Sequence, residues 1–540
     1  MKTTLIGYII ILVGATSMVS CHDQLDLSPI SPNSLTELKV YESQESAFLA
    51  LVKLYQGLAV NGQLGGNESS PDIPGLESAS ANWSDFVLLS NYLNEISTDN
   101  AIIAWSNPGA QETNFMTWDA QDFFPRTMYY RLATVISYCN SFISKATSLA
   151  DSEEVVFYIN EARFIRAFCY YHLMDLFGNV PITTRISTDL PFQNTRKEVF
   201  GFVETELLQI KDLLKAPKTN DYGRADQATV WALLSKLYLN AEIYTGEKRY
   251  TDAITYSELV INSPYSLNTT DGNGNGSAYD ELFLADNNKN GSQNEFLLTA
   301  NYDGIYSAYW GGGTHMVHAY LGGTIDVTKY GVNGGWYGIR ATKNLVHKFD
   351  YAATKFNANG EPVEWSDPRA MFYVNGQSLE ITTPSNFAEG YMVAKFSNVD
   401  VKGKAGSDAA GNWVDMDMPL IRLGEIYLNY VEACLRGGGG NTGLAIQYIN
   451  ELRSRAGAPL AAASELTLDF ILDERARELF EEGHRRTDLV RFGRFTGGDY
   501  LWPFKGGLAG GTSVESYRDI YPIPDILLLT NRNLKQNPKY

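Results

Sequence analysis

The fold class is decided by the stretch Glu161-Ala-Arg-Phe-Ile-Arg-Ala-Phe-Cys-Tyr-Tyr-His-Leu-Met-Asp-Leu-Phe-Gly178. Its apolar residues recur three or four positions apart, which places them on one face of an α-helix: Ile165, Cys169, Leu173 and Leu176. Gly178 is a typical helix end, and Pro181 just beyond it prevents the helix from resuming. The pattern predicts a long amphipathic helix that packs against a neighbour.

Other helical patterns along the chain occur in pairs. Residues 231–238 and 250–264 flank a turn at Gly246, residues 125–149 precede 153–177, and residues 423–436 precede 443–456 across four glycines. Small and aromatic residues at helical spacing suit two antiparallel helices in close contact. These pairs predict degenerate repeats of the tetratricopeptide type, and a generic helical domain is the alternative.

The amino-acid composition changes between residues 262 and 418, which are rich in Gly, Asn, Tyr and Trp. We therefore predict a mostly α fold, in which a helical scaffold (43–261 and 419–495) is interrupted by a loop-rich, irregular insertion (262–418). Because no long polar linker separates independent cores, residues 21–540 are expected to form a single domain.

The first twenty residues have the composition of a secretion signal. Their apolar run is far shorter than the roughly 20 residues that a membrane-spanning helix needs. Met18-Val19-Ser20-Cys21 is similar to a bacterial lipobox, in which the cysteine is acylated and becomes the new amino terminus. We predict a signal peptide over residues 1–20 and a lipid anchor at Cys21, the alternative being an ordinary secretory signal.

The formal net charge of -19 argues against nucleic acid as a partner and against direct adhesion to anionic lipid. The three remaining cysteines, Cys139, Cys169 and Cys434, are odd in number and lie among apolar residues. Buried free thiols are therefore expected rather than a disulfide framework or a metal site.

Several longer blocks follow one another in an order typical of one family. They are residues 21–29, 161–181, 419–433, 449–457, 474–491 and 521–524, and the last block is residues 536–540. In these blocks the chain resembles the SusD/RagB family of outer-membrane nutrient-binding lipoproteins. Residues 94–105 and 500–517 are most similar to its starch-binding branch.

This resemblance implies a tetratricopeptide-like scaffold with an irregular ligand-binding region, lipid-anchored at the cell surface. It implies a non-catalytic protein that captures oligosaccharides or peptides and delivers them to a SusC-like TonB-dependent transporter in the outer membrane. An α-glucan such as starch is the favoured ligand. Two other functions stay open: a tetratricopeptide-type structural adaptor for partner proteins, and a cryptic glycoside hydrolase.

A glycan site needs exposed aromatic faces for the C–H faces of sugar rings, with polar side chains around the edge. Three loops have this composition, and their candidate ligand-binding residues are Trp105, Asn107, Tyr309, Trp310 and Trp336. Glycines beside Trp310 and Trp336 favour tight turns that leave the rings exposed. The resemblance places the three tryptophans at the family's aromatic arc, whereas burial in the core is the alternative for each ring.

No catalytic residues are predicted. Glu481 and Glu482 are adjacent on a predicted helix and point about 100° apart, so they cannot flank one glycosidic bond. Glu474 with Glu478, and Arg477 with Glu481, have the i, i+4 spacing of surface pairs. His315 and His318 follow a glycine run that disfavours a helix, which argues against a zinc site.

A structural calcium ion is the one metal that the sequence suggests, and no cofactor is required. Asp415 and Asp417 alternate in an extended segment, so both could face one side and meet Asp286 or Asn288. Carboxylate oxygens of this kind suit Ca²⁺. The alternative is a solvated acidic loop.

Overall fold

The computed structural model describes residues 41–62, 71–73, 76, 83–358 and 360–540. The signal segment and Cys21 lie outside these residues. The helices among them are α1 (Gln44–Ala59), α2 (Phe86–Asn91), α3 (Ala110–Asn114), α4 (Phe123–Ala146), α5 (Glu153–Phe177), α6 (Arg196–Ile210), α7 (Gln227–Leu239), α8 (Ala241–Thr245), α9 (Tyr250–Ile261), α10 (Gly312–His318), α11 (Lys343–Val346), α12 (Leu423–Leu435), α13 (Thr442–Arg455), α14 (Leu468–Leu479), α15 (Arg485–Arg491) and α16 (Asp525–Thr530).

The long helices form a stack of antiparallel pairs, as the sequence predicts. Helix α4 packs on α5, α5 on α6, α7 on α9, α9 on α12, and α12 on α13. Helix α5 ends at Phe177, and Gly178 closes it with a positive φ of 72°, a conformation that glycine adopts without steric cost. The predicted mostly α class and the tetratricopeptide-like pairing are confirmed.

The strands are short and lie mainly in the loop-rich insertion. They are β1 (Ala101–Ile103), β2 (Val180–Pro181), β3 (Gln193–Asn194), β4 (Phe296–Ala300), β5 (Ile339–Ala341), β6 (Lys355–Phe356), β7 (Pro362–Glu364), β8 (Phe372–Tyr373), β9 (Tyr391–Val393) and β10 (Met418–Arg422). A four-stranded sheet has the order β1-β5-β9-β8, and β10 pairs with β4. Because β1 belongs to the scaffold and β5 to the insertion, this sheet joins the two parts.

The charged residues in the second half of helix α14, from Glu474 to Glu478, are buried, so the predicted surface pairs are wrong. Glu474, Glu478 and Glu481 are each 0% exposed. Glu474 pairs with Arg369 at 2.9 Å and with Arg477 at 2.7 Å, whereas Arg477 was predicted to pair with Glu481. The i, i+4 spacing identifies neighbours on a helix, but it does not show that another chain segment covers these glutamates and supplies Arg369.

The thiols of Cys139 and Cys169 are buried and unpaired, as predicted, while Cys434 is partly exposed and also unpaired. Burial raises the pKa of the Cys139 thiol to about 12, which keeps it protonated and inert. Among the described residues, we find no helix with the length and apolar character needed to span a bilayer.

Candidate functional site

The pairing of β1 with β5 brings together two of the predicted ligand-binding residues. Ala101 faces Ala341 and Ile103 faces Ile339 in antiparallel register. The Ala104 N–H donates to the Gly338 carbonyl at 2.8 Å, which extends the ladder by one step. Trp105 follows the end of β1 and Trp336 precedes the start of β5, so strand register places their rings side by side.

Gly338 lets the Trp105 ring lie directly on the backbone of the neighbouring strand. A Cβ atom at position 338 would lie 1.9 Å from the Trp105 ring, which no real contact allows. Any other residue there would displace the ring. Asn107 is half-buried in the loop that follows Trp105, and its carbonyl accepts the N–H of Ala110 at 3.0 Å.

Four tryptophans form one row, which we call the aromatic row. Its spatial order is Trp105, Trp336, Trp310, Trp413, with neighbouring ring centroids 6.5, 5.9 and 4.2 Å apart. All four side chains are half-buried. Each ring is tilted by 52–54° from the next, so the row is faceted and not flat. The structure therefore brings together the three predicted tryptophans, although they come from three separate loops.

Two histidines lie behind the row on helix α10, a helix that the sequence does not predict. His318 stacks on Trp336 with centroids 5.2 Å apart and planes 23° apart, and His315 lies 5.8 Å from the same ring. Burial lowers the pKa of His315 to about 3 and also lowers that of His318. Both imidazoles are therefore neutral at pH 7 and support the row without placing charge behind it.

Helix α10 forms because a buried carboxylate holds its first turn. Asp85, which caps α2, accepts the Gly312 N–H at 3.2 Å and the Tyr309 hydroxyl at 3.0 Å. Burial raises the pKa of Asp85 to about 6. The two contacts fix the chain on both sides of Trp310 and thereby orient its ring.

The same contacts correct the prediction for Tyr309. Its ring is only 3% exposed and its hydroxyl donates to Asp85, so Tyr309 lies beneath the surface that Trp310 helps to form. It is a supporting residue in this structure rather than an exposed ligand contact. Tyr306, in the same loop, is 91% exposed.

Trp413 was not among the predicted site residues. Its sequence setting, Gly411-Asn412-Trp413, has the same glycine- and asparagine-bearing character as the loops of Trp310 and Trp336. That signal was sufficient to include it. The structure adds the contact with Trp310, which no sequence pattern could supply.

The predicted calcium site is not formed by the described residues, among which no group of three or more acidic, histidine or cysteine side chains is placed to hold a metal ion. Asp415 accepts the Ser407 N–H and hydroxyl, both at 2.6 Å. Asp417 accepts the Tyr302 N–H at 2.7 Å, and burial raises its pKa to about 7. Protein donors thus hold both oxygens of Asp415 and one oxygen of Asp417, and with Asp286 these residues form no metal-binding group within the described part of the chain.

The glutamates that could suggest glycoside cleavage are enclosed in the scaffold. Glu481 is 0% exposed and is held by Asn91 at 3.1 Å and by the Tyr320 hydroxyl. Glu482 is 7% exposed and pairs with Lys395 at 2.8 Å. Burial raises the pKa of Glu481, and burial together with the nearby Glu481 raises the pKa of Glu95. The carboxylates of Glu481 and Glu482 therefore cannot flank a glycosidic bond of a polysaccharide bound at the surface.

Comparison with known proteins identifies the family. The sequence model of the SusD family matches residues 370–540, and one described as "Starch-binding associating with outer membrane" matches residues 76–239. The chain is 34% identical to the starch-binding protein SusD of Bacteroides thetaiotaomicron over 98% of both chains. It is 26% identical to the SusD-like protein P2 of Formosa agariphila, covering 80% of this chain and 83% of that one.

Solved structures share the fold at lower identity. A SusD superfamily protein from Parabacteroides distasonis has a TM-score of 0.68 and 21% identity, covering 94% of this chain and all of the other. Surface glycan-binding protein A from Bacteroides thetaiotaomicron, in complex with laminarihexaose, has a TM-score of 0.67 and 20% identity, covering 92% and 99%. Given its identity to the starch-binding relative over nearly the whole of both chains, this protein belongs to the SusD family.

Proposed function

We propose that this protein is a non-catalytic glycan-binding lipoprotein of the cell surface that captures an α-glucan such as starch. The aromatic row is the observation that carries the proposal. Half-buried indole rings, with neutral histidines behind them, offer apolar faces on which the C–H faces of sugar rings can stack. The neutral state of the two histidines suits an uncharged ligand.

The shape of the row favours a curved glycan. Successive rings are tilted by 52–54°, so no two neighbours offer one continuous flat platform. A glycan whose successive sugars lie flat in a ribbon would meet only one of these faces at a time. In an α-linked glucan, successive sugars change direction along a helical curve, so neighbouring sugars can each meet a differently oriented ring.

The relatives support the same proposal. The relative with 34% identity is named a starch-binding protein, and one matching family model is named for starch binding and association with the outer membrane. We extend this to delivery of the captured glycan to a TonB-dependent transporter of the outer membrane. The rigid helical stack would hold the aromatic row at a fixed position relative to such a partner.

The proposal is tested by titrating the soluble chain, lacking residues 1–21, with a panel of glycans in a calorimeter. We expect malto-oligosaccharides and soluble starch to bind, and β-1,4-linked cello-oligosaccharides of equal length to bind at least about tenfold more weakly, a difference of about 1.4 kcal/mol. Equal affinity for both series would contradict the α-glucan preference. Absence of binding to every glycan in the panel would contradict the function itself.

A parallel incubation tests the proposal that the protein does not hydrolyse glycans. Pure protein at the same concentration should release no reducing ends from starch, pullulan or dextran. The control is a Glu481→Gln variant, because a residual contaminating hydrolase would give equal release with both preparations. Sustained release by the wild type that the variant lacks would show that the protein is an enzyme.

The anchor at Cys21 belongs to the same proposal. Each buried methylene of an acyl chain contributes about 0.8 kcal/mol to membrane binding, so two or three chains hold a protein on the bilayer almost irreversibly. We expect a Cys21→Ala variant to lose incorporation of labelled palmitate and to leave the membrane fraction. A Cys434→Ala variant, which removes a partly exposed thiol elsewhere, should remain membrane-bound. Continued labelling of the Cys21→Ala variant would contradict the lipobox assignment.

A further inference from the structure

The fourth ring of the aromatic row lies at one of its ends. Trp105 contacts Trp336, Trp336 contacts Trp310, and Trp310 contacts Trp413. Trp413 is therefore separated from Trp105 by the two central rings. A glycan that follows the row would meet Trp413 only if its chain were long enough to pass the other three.

Trp413 does not serve the hydrophobic core. Trp105 and Trp336 pack against the main core of the protein, whereas Trp413 is half-buried and lies outside it. An indole outside the core still costs solvation free energy, because its apolar surface remains partly in water. Such a ring at the end of a ligand-binding row is better explained by a ligand than by folding stability.

The loop that carries Trp413 is held in place before any ligand arrives. Asp408 accepts the N–H groups of Asn412 at 2.8 Å and Trp413 at 3.1 Å. The Asn333 side chain donates to the Ala410 carbonyl and to the Asn412 amide oxygen, both at 2.7 Å. Asn333 belongs to the loop of Trp336, so these bonds fix the end of the row relative to its centre.

A second contact joins the Trp413 loop to the residues behind the row. His318 Nε2 donates to the Asn412 carbonyl at 3.0 Å, and the same imidazole stacks on Trp336. A loop fixed in this way loses little conformational freedom when a ligand binds, so more of the stacking energy appears as affinity.

We propose that Trp413 forms an additional sugar-binding position at the end of the aromatic row, which makes affinity depend on the length of the glycan. The inference rests on the proposed function, because it assigns a further position to the same site. Short malto-oligosaccharides would be held by Trp105, Trp336 and Trp310. Longer chains would gain affinity from Trp413.

The test is a calorimetric titration of maltotriose, maltopentaose and maltoheptaose against the wild type and a Trp413→Ala variant. We expect the variant to bind maltotriose within about twofold of the wild type and maltoheptaose about 5- to 10-fold more weakly, a change of about 1–1.4 kcal/mol. The matched control is Trp365→Ala. It removes a half-buried tryptophan that packs on Tyr351 and Phe372, away from the row, and should leave every affinity unchanged.

Three other outcomes overturn the inference, and they separate it from the function. Unchanged affinity of folded Trp413→Ala for all three ligands removes the position while leaving the function intact. An equal loss for all three lengths shows that Trp413 only positions Trp310, which also leaves the function intact. No binding of any length by the wild type overturns both. Thermal melts of each variant establish that it is folded.

Discussion

Replacing Arg422 by methionine is expected to lower the free energy of unfolding by about 3–5 kcal/mol. Arg422 is 1% exposed, and its guanidinium lies between three buried carboxylates. It contacts Glu478 at 2.7 Å, Glu482 at 2.7 Å and Glu295 at 3.1 Å. Methionine fills much of the volume of arginine, so little of the loss comes from a cavity. The loss is large because the carboxylates keep less opposing charge in a medium of low dielectric.

The measurement is the urea unfolding transition followed by far-UV circular dichroism, with the thermal melt as a second readout. The control is Arg494→Met. Arg494 pairs with Asp469 at 2.6 Å at the surface, where the two side chains are 35% and 75% exposed. Removal of such a pair should change stability by less than about 1 kcal/mol. A similar small loss for both variants would show that the buried network contributes little to folding.

Replacing Trp336 by alanine is expected to weaken malto-oligosaccharide binding on the order of 30- to 150-fold, or about 2–3 kcal/mol. Trp336 is central in the row and contacts Trp105 and Trp310. Because His318 covers one of its faces, the other is the face on which a sugar would stack. Its loss removes a stacking position and also leaves the neighbouring rings without lateral support.

A Trp336→Phe variant separates these two effects. Phenylalanine keeps an aromatic face of reduced area, so we expect it to recover most of the affinity that alanine loses. Both variants are titrated with maltoheptaose and melted with and without ligand. If folded Trp336→Ala binds as well as the wild type, the glycan site lies elsewhere on the molecule. If it melts much earlier yet binds normally, the ring has a structural role.

The helical scaffold could be predicted because its signals are local. The apolar spacing of residues 161–178 and the glycine and proline that follow them define α5 without reference to any other part of the chain. The same holds for the predicted turns at Gly246 and at the four glycines between α12 and α13, both of which the structure contains.

The burial of Glu474 and Glu478 on helix α14 could not be predicted in this way. Spacing on a helix shows that Glu474 and Glu478 share a face, but the Arg369 that pairs with them is supplied by the distant insertion. Helix α10 was missed for a related reason. Its glycines disfavour a helix locally, and the tertiary hydrogen bond from Gly312 to Asp85 opposes that preference.

The sequence predicted which residue types form the candidate site, but it did not predict how deeply each of them is buried. The sequence predicts one surface formed by Trp105, Trp310 and Trp336 from three loops that bear glycine or asparagine, and the structure places these rings next to one another. Which of two adjacent rings faces outward depends on backbone direction at that point, so Tyr309 and Trp310 could not be distinguished from their order in the sequence.

The aromatic rings of the candidate site and the buried charged residues of the scaffold lie on different segments of the chain. The rings lie on loops that follow β1, precede α10, precede β5 and end at Trp413, whereas the buried arginines and glutamates include those of β10, α13 and α14. Substitutions at well-separated sites have nearly additive effects on stability. Mutations in the loops can therefore accumulate under selection for a new ligand while the scaffold retains its reserve of stability. Specificity and foldability therefore depend on largely different residues in this protein, and the exceptions are Trp105 and Trp336, which also pack against the core.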